Sequence, residues 1–212
     1  MNKQQFMEDY IKFPTYILLH PIDGYRRFKE EKKAKMSVAL VFLFLASILS
    51  VVQFQTTGFI VNFNNPQNMN SLRLIIYTVV PIVLLSVANW SVTTLLDGKG
   101  KMKEIFMMLC YSLFPFIILG FVNVLFSNII TMEEVGFYGI IAGFGTVLLG
   151  YMVFMGLLVL HEYGLFKTIL TVLATGLAAA IILFLALLIF DLSQQIYGFF
   201  YSLYREIVTR FL

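Results

Sequence analysis

The chain has 212 residues, of which 59% are apolar and only 13% are charged, with a formal net charge of +3. A soluble domain carries about 25% charged residues, so this chain lacks the polar surface that keeps a globular domain in water. A mean hydropathy of +0.86 and long apolar blocks instead predict an integral membrane protein in contact with the lipid bilayer. The basic residues flank these blocks and form no basic patch on a folded face, so we expect no nucleic-acid partner.

The first segment, residues 1–35, is mixed and charged and contains no apolar run of signal-peptide length. We expect it to be a basic cytoplasmic segment, with the first span retained in the mature protein. An apolar stripe within it predicts an amphipathic helix that anchors the segment at the membrane, with partner docking as the alternative. The members of this stripe are Phe6, Tyr10, Phe13 and Ile17, interrupted by Pro14.

Five apolar blocks follow, each long enough to cross about 30 Å of hydrocarbon as a helix. Backbone groups in lipid must be hydrogen-bonded within their own segment, which favours helices over open strands. We therefore predict an all-α polytopic membrane domain of five transmembrane helices over residues 36–190. The predicted spans are residues 36–54, 74–96, 105–126, 137–160 and 166–190.

The distribution of basic residues predicts the orientation of the spans. Of the 15 Lys and Arg residues, all but Arg73, Arg205 and Arg210 fall in the N-terminal segment or in the connections after the second and fourth spans. The positive-inside rule places these regions in the cytoplasm. The N-terminus is then cytoplasmic, whereas the loop 55–71 and the C-terminus lie outside.

The last segment, residues 191–212, repeats apolar side chains at spacings of three and four, with polar side chains largely on the other side. This pattern predicts an amphipathic helix that lies in the outer membrane interface and does not cross the bilayer. The apolar positions are Ile196, Phe199, Phe200, Leu203 and Ile207.

The chain contains no motif that indicates catalysis. His161-Glu162 has Leu165 where a zinc metalloprotease helix would carry its second histidine. Cys110 is the one cysteine, which excludes a cysteine-based metal cluster. We therefore expect no enzyme activity, no metal site and no cofactor.

Ionisable residues are absent from the membrane depth of all five spans, although ion and solute pathways usually need them. The polar or kink-forming positions at depth are Asn89, Tyr111, Ser112, Pro115 and Asn123. These side chains would line the path if the protein were a small transporter or channel acting as an oligomer.

Small residues recur at helical spacing in the last two spans, where they allow helix backbones to approach closely. They are Gly139, Gly143 and Gly150 in the fourth span, and Gly176 and Ala180 in the fifth. Packing of these two spans against each other is the first interpretation, and contact with a partner helix or a second copy is the alternative.

The connection between the second and third spans forms a turn rich in glycine and lysine, which would lie against an anionic inner leaflet. Its candidate cytoplasmic contact residues are Asp97, Gly98, Lys99, Gly100, Lys101 and Lys103.

Several short motifs occur in a fixed order along the chain. They are His20-Pro21 with Asp23-Gly24-Tyr25, then Asn89-Trp90, then Asp97-Gly98-Lys99-Gly100, and finally Tyr111-Ser112-Leu113-Phe114-Pro115. With these motifs the chain resembles the bacterial branch of the Yip-domain (Ypt/Rab-interacting protein) family over roughly residues 20–190.

This resemblance implies a five-helix bundle with a cytoplasmic N-terminus and no catalytic residues. Eukaryotic members of the family act in vesicle traffic and bind small prenylated GTPases, but the long N-terminal domain of some members is missing here. Some bacterial members look like companions of carbohydrate ABC importers, so the resemblance suggests an importer permease as partner. It also suggests the bacterial cytoplasmic membrane as the location.

Together these features favour a non-enzymatic scaffold or accessory subunit that binds other integral membrane proteins, and that is able to form a homo-oligomer. The transporter or channel is the second hypothesis. The third, an organiser of lipids or membrane shape, rests on the two amphipathic flanks.

Overall fold

The computed structural model describes residues 3–211, and within this range the chain forms helices and no strand. Three short α-helices at the N-terminus precede five long ones, and 3-10 turns at Pro66–Asn68 and Met132–Glu134 interrupt two of the connections. The α-helices are α1 (Lys3–Met7), α2 (Phe13–Leu19), α3 (Pro21–Glu30), α4 (Met36–Thr56), α5 (Ser71–Leu95), α6 (Met102–Ser127), α7 (Val135–His161) and α8 (Leu165–Phe211). A single π-helical turn, Glu8–Lys12, joins α1 to α2.

The five long helices confirm the five predicted spans, because each is long and apolar enough to cross a membrane. Their ends follow local chemistry. Asn70 caps α5 by accepting a hydrogen bond from the backbone N–H of Arg73 at 3.0 Å, and Glu104 closes the start of α6 on the N–H of Lys101. At the other extreme, α7 ends where Glu162 adopts a left-handed backbone with φ of 56°, which stops helix propagation.

The third span, α6, is the central helix of the bundle, with α4, α5 and α7 packed around it. In its most apolar stretch 61% of the residues are buried within the protein, against 6% for α8, which packs mainly on α5. The fifth span is therefore a peripheral helix that exposes most of its surface to lipid.

The N-terminal segment belongs to the bundle core. Ile17 and Tyr25 are fully buried, and Phe28 packs edge-on against Tyr111 of α6 at a ring-centroid distance of 5.3 Å. Membrane anchorage of the predicted stripe is thus wrong for Phe13 and Ile17, because protein covers both. The predicted boundary at residue 35 is not a boundary of packing. Residues 1 and 2 of that predicted segment lie outside the described range.

The connections gather at two opposite ends, as the predicted alternation requires. At one end, which we call the inner end, Glu162 between α7 and α8 pairs with Lys29 of α3 and with Lys99 before α6. At the other, the outer end, Asn128 after α6 donates a hydrogen bond to the carbonyl oxygen of Thr56 at 2.8 Å. The assignment of the inner end to the cytoplasm stays a prediction from the lysine distribution.

The fifth span continues without interruption into the C-terminal segment. The predicted separate helix over residues 191–212 is instead the last part of α8, whose 47 residues measure about 70 Å at 1.5 Å per residue. The amphipathic pattern predicted helical periodicity correctly, but no proline interrupts the helix near Asp191, where Gln195 adds a hydrogen bond at 2.8 Å. Placement in the interface stays a prediction, and Leu212 lies outside the described range.

The predicted small residues of the last two spans make no close helix–helix contact. A Cβ added at Gly139, Gly143, Gly150 or Gly176 would meet no atom within 4 Å, and Ala180 is exposed. Packing of the fourth span against the fifth through these residues is therefore wrong, because α7 packs on α6 whereas α8 packs on α5. Their contact with a partner stays a prediction.

Candidate functional site

The inner end of the bundle carries a buried polar cluster centred on His161, the last residue of α7. Its Nε2 lies 3.1 Å from Oδ1 of Asn89 on α5, and its Nδ1 accepts the backbone N–H of Gly100 at 3.3 Å. A backbone N–H can only donate, so Nδ1 carries the lone pair and Nε2 carries the proton that Asn89 accepts. The imidazole is thus neutral, with both nitrogens occupied.

Asn89 joins three helices through one side chain. While its oxygen accepts from His161 of α7, its Nδ2 donates to Oγ1 of Thr175 on α8 at 3.0 Å. Thr93, one turn further along α5, donates to the carbonyl oxygen of Asn89 at 2.8 Å. Asn89 and Thr93 are nearly inaccessible to solvent, and a buried polar group is favourable only when it is satisfied in this way.

The turn before α6 packs directly on this histidine. A Cβ added at Gly98 would lie 2.6 Å from Cβ of Thr93, 2.7 Å from Nδ1 of His161 and 2.8 Å from the Tyr163 hydroxyl. One added at Gly100 would lie 2.8 Å from Cε1 of the same ring. Only glycine fits at both positions, so these glycines serve close packing of the turn against α7.

Glu162 lies on the solvent-exposed side of the cluster. Its two carboxylate oxygens bind Lys29 at 2.8 Å and Lys99 at 2.5 Å, and hydrogen bonds from these two lysines lower its pKa to about 2. Lys29 also donates to the carbonyl oxygen of Leu160 at 2.9 Å. One carboxylate therefore links three parts of the chain, which are the N-terminal segment, the α5–α6 connection and the α7–α8 connection.

Tyr163 lies on the α8 side of the cluster. Its hydroxyl donates to the carbonyl oxygen of Leu96 at 2.9 Å, its ring stacks on His161, and Lys167 lies 4.2 Å above that ring. Burial, and then the nearby carboxylate of Asp97, raise the pKa of Tyr163. We call Asn89, Gly98, Gly100, His161, Glu162 and Tyr163 the inner polar cluster.

A second contact joins α3 to the centre of the bundle. The Tyr25 hydroxyl lies 2.9 Å from Oγ of Ser112, which in turn donates to the carbonyl oxygen of Met108. Tyr111 accepts the backbone N–H of Lys35 at 3.1 Å. Gly156 of α7 makes room here, since an added Cβ would lie 2.6 Å from Sδ of Met108.

The structure thus brings together some of the predicted residues and separates others. Asn89, Gly98 and Gly100 meet at His161, and Lys99 pairs with the adjacent Glu162. Tyr111 and Ser112 contact the N-terminal segment nearby, and Pro115 is also buried. Asp97, Lys101 and Lys103 are exposed at the inner end, while Asn123 lies near the outer end. Asn89, Tyr111 and Ser112 all have partners inside the protein, and their role in a transport path stays a prediction.

Sequence reasoning missed the roles of Tyr25, Lys29, His161, Glu162 and Tyr163. Their partners lie up to 133 residues away in the sequence. The sequence around His161 resembles only an incomplete metalloprotease motif, which does not predict its hydrogen bonds to other helices. Within residues 3–211, no group of three His, Cys, Asp or Glu residues is placed to hold a metal ion. The hydrogen bonds and ion pairs of this cluster hold together chain segments that are distant in sequence.

Comparison with known proteins identifies the family of the chain. No curated protein and no solved structure matches the chain. The family model of the Yip1 domain matches residues 15–188, a range that begins within α2 and contains every residue of the inner polar cluster. Since this range covers most of the 212 residues, the chain belongs to the Yip1 domain family of multi-pass membrane proteins.

Proposed function

We propose that this protein is a non-enzymatic scaffold in the bacterial cytoplasmic membrane that binds the helices of other integral membrane proteins. The observation that carries the proposal is the exposed glycine face of α7, defined by Gly136, Gly139, Gly143 and Gly150. All four have open space where a side chain would be. Spacings of three, four and seven residues keep them on one side of the helix.

Such a face suits a helix and not a soluble ligand. In lipid, helices associate through close backbone packing at small residues, because hydrocarbon already solvates larger side chains. Val147, one turn after Gly143, lies on the glycine side and is 67% exposed, and Phe144 flanks it and is 56% exposed. Both side chains would contact an arriving helix.

The inner polar cluster supports this role by fixing the bundle that presents the face. Its hydrogen bonds hold the inner end of α7 to α5 and to the turn before α6. A helix restrained in this way presents a constant surface, which reduces the entropy lost on association.

Site-specific cross-linking in the native membrane tests the proposal. In a Cys110→Ala background, we would place single cysteines at Phe144, which flanks the glycine face, and at Ile118 on α6. Ile118 is also exposed and stands nine positions from the outer end of its helix, as Phe144 does. A benzophenone-maleimide, attached to the cysteine through its maleimide and activated by light, inserts into C–H bonds of any neighbour. It should trap a protein adduct at Phe144 and none at Ile118, and Gly143→Leu should abolish the adduct.

The mass of the adduct identifies the partner class. A doubled mass means a second copy, whereas a larger heterogeneous adduct identified by mass spectrometry would test the carbohydrate ABC importer suggested by the family resemblance. If Phe144 yields no protein adduct, or yields the same adduct after Gly143→Leu, then the face contacts only lipid and the proposal fails.

A second candidate function, organisation of lipids, is favoured by α8. Its last turns expose Leu192, Ile196 and Phe200, and a helix of about 70 Å extends well beyond a bilayer core of about 30 Å. Deletion of residues 191–212 should then abolish preferential binding to small, highly curved vesicles. Equal sorting of the full-length and truncated proteins would exclude this function.

A further inference from the structure

The outer end of the bundle contains a polar cavity that none of the preceding functions uses. It lies between the outer ends of α4, α6 and α7 and the connection that follows α4, and its volume is about 310 Å³. Ligand sites in proteins have volumes of about 300–1,000 Å³. The cavity is therefore large enough for one small molecule.

The cavity wall is polar yet carries no charged side chain. Carboxamides and hydroxyls supply neutral hydrogen-bond donors and acceptors, and two aromatic rings supply flat apolar surface. The lining includes Ser50, Gln53, Phe54, Asn64, Asn123 and Tyr138. An ion would lose its hydration here without gaining a counter-charge. A neutral molecule with several hydroxyl groups and an apolar ring face would find partners for both.

One of these side chains lacks a partner in the protein. Asn123 is only 3% exposed, and its Oδ1 is a buried atom without a hydrogen bond. Leaving a buried acceptor unpaired costs free energy, so such a group is usually satisfied by something that binds beside it. Asn123 lines the cavity, so rotation of its carboxamide would bring this oxygen within reach of a ligand hydroxyl, which would supply the missing donor.

The cavity is also preorganised. The connection after α4 is held by the backbone N–H of Gly58, which donates to Oγ of Ser127 at 2.9 Å. A side chain at Gly58 would overlap the backbone of Ser127, so the loop sits directly on α6. Asn62 fastens its other side by donating to the carbonyl oxygen of Thr57 at 3.2 Å and accepting the N–H of Asn64 at 3.0 Å.

We propose that this outer cavity binds a neutral, hydroxyl-rich ligand of the sugar or polyol class, with Asn123 accepting a hydrogen bond from one of its hydroxyl groups. The ring of Tyr138 covers an apolar face of the ligand, and its hydroxyl contacts the ligand edge. Free sugars and the sugar headgroup of a lipid share this chemistry.

Thermal unfolding of the full-length protein tests the proposal. The protein should be purified in dodecyl dimethylamine oxide, because the headgroup of a maltoside detergent is itself a probe. Maltose and glucose serve as free probes, dodecyl maltoside as the anchored probe and the zwitterion glycine as the charged control. A binding sugar should raise the Tm saturably, by about 3–6 °C at ten times its Kd.

Two variants and one control complete the experiment. Asn123→Leu should abolish the shift and should itself raise the Tm of the ligand-free protein by about 2–4 °C, because it removes an unpaired buried acceptor. Tyr138→Phe should weaken binding several-fold. Asn68→Ala, an exposed loop amide outside the cavity, should leave binding unchanged.

The outcomes separate the two sources of the ligand. A saturable shift with maltose or glucose assigns a free sugar, whereas a shift with dodecyl maltoside alone assigns a lipid headgroup. The proposal is overturned if no probe gives a saturable shift, if glycine acts as well as the sugars, or if Asn123→Leu keeps the shift. It is also overturned if Asn123→Leu lowers the Tm of the ligand-free protein, since Asn123 would then have a purely structural role.

Discussion

The hydrogen bond between His161 and Asn89 should couple the stability contributions of these two residues. His161→Leu keeps a similar side-chain volume but removes the partner of the Asn89 oxygen and of the Gly100 N–H. A neutral hydrogen bond contributes about 0.5–1.5 kcal/mol, and a buried group left unpaired costs about 1–3 kcal/mol. We expect His161→Leu to lower the free energy of unfolding by about 2–4 kcal/mol, mostly through the orphaned Asn89 oxygen.

Asn89→Leu should cost a similar amount, because it leaves the Nε2–H of His161 and the hydroxyl of Thr175 without their partner. In the double variant both polar side chains are gone, so neither orphans the other. The loss in the double variant should therefore be smaller than the sum of the single losses by about 1–3 kcal/mol.

Unfolding in mixed micelles, titrated with sodium dodecyl sulfate and followed by the fluorescence of Trp90, gives the four free energies of the cycle. Trp90 is the only tryptophan and adjoins Asn89 on α5. If the two single losses add to within about 0.5 kcal/mol, as distant sites do, then the residues do not interact and the inner polar cluster is not a cooperative unit.

Three further predictions concern the same end of the bundle. Gly98→Ala should lower stability by about 1–3 kcal/mol through overpacking, whereas the matched control Gly139→Ala, which faces open space, should change it by less than about 0.5 kcal/mol; equal effects would contradict the packing. Because the pKa of Glu162 is lowered to about 2, its stabilising contribution is present above pH 4.5 and is lost as pH falls toward 2. Glu162→Gln should therefore flatten stability over that pH range in thermal scans, and an unchanged acid profile would refute the pairing. Tyr25→Phe should cost about 0.5–1.5 kcal/mol and speed limited tryptic cleavage in α3; cleavage at the wild-type rate would show that the contact with Ser112 does not hold the segment.

The spans were predictable because a bilayer imposes a simple length rule. Continuous apolar runs such as that of α4 leave the chain no alternative to a helix in lipid. The orientation of the spans rests on charge alone, since lysines such as Lys99 lie beside the spans, and it stays a prediction. These features depend on local composition, which a single sequence contains.

The inner polar cluster could not be predicted in the same way. His161 and Asn89 are separated by 72 residues, and nothing local shows that the end of one span meets the side of another. The predicted packing of the α7 glycines against α8 was wrong for a related reason. Spacing places Gly139 and Gly143 on one face, but the direction of that face depends on how α7 is rotated against α6. At Asp191, periodicity indicated a helix without indicating whether it was a new one.

The burial of the N-terminal segment has a consequence for biosynthesis. Ser112, the partner of Tyr25, is synthesised 87 residues after it, and Glu162, the partner of Lys29, is synthesised 133 residues after it. At a translation rate of about 5–20 residues per second, the interval before Glu162 emerges is roughly 7–27 s. During that time Ile17, Tyr25 and Phe28 leave the ribosome with their final neighbours still unmade. These apolar side chains must therefore bind transiently elsewhere, at the lipid surface or on the insertion machinery, until the fourth span has been synthesised.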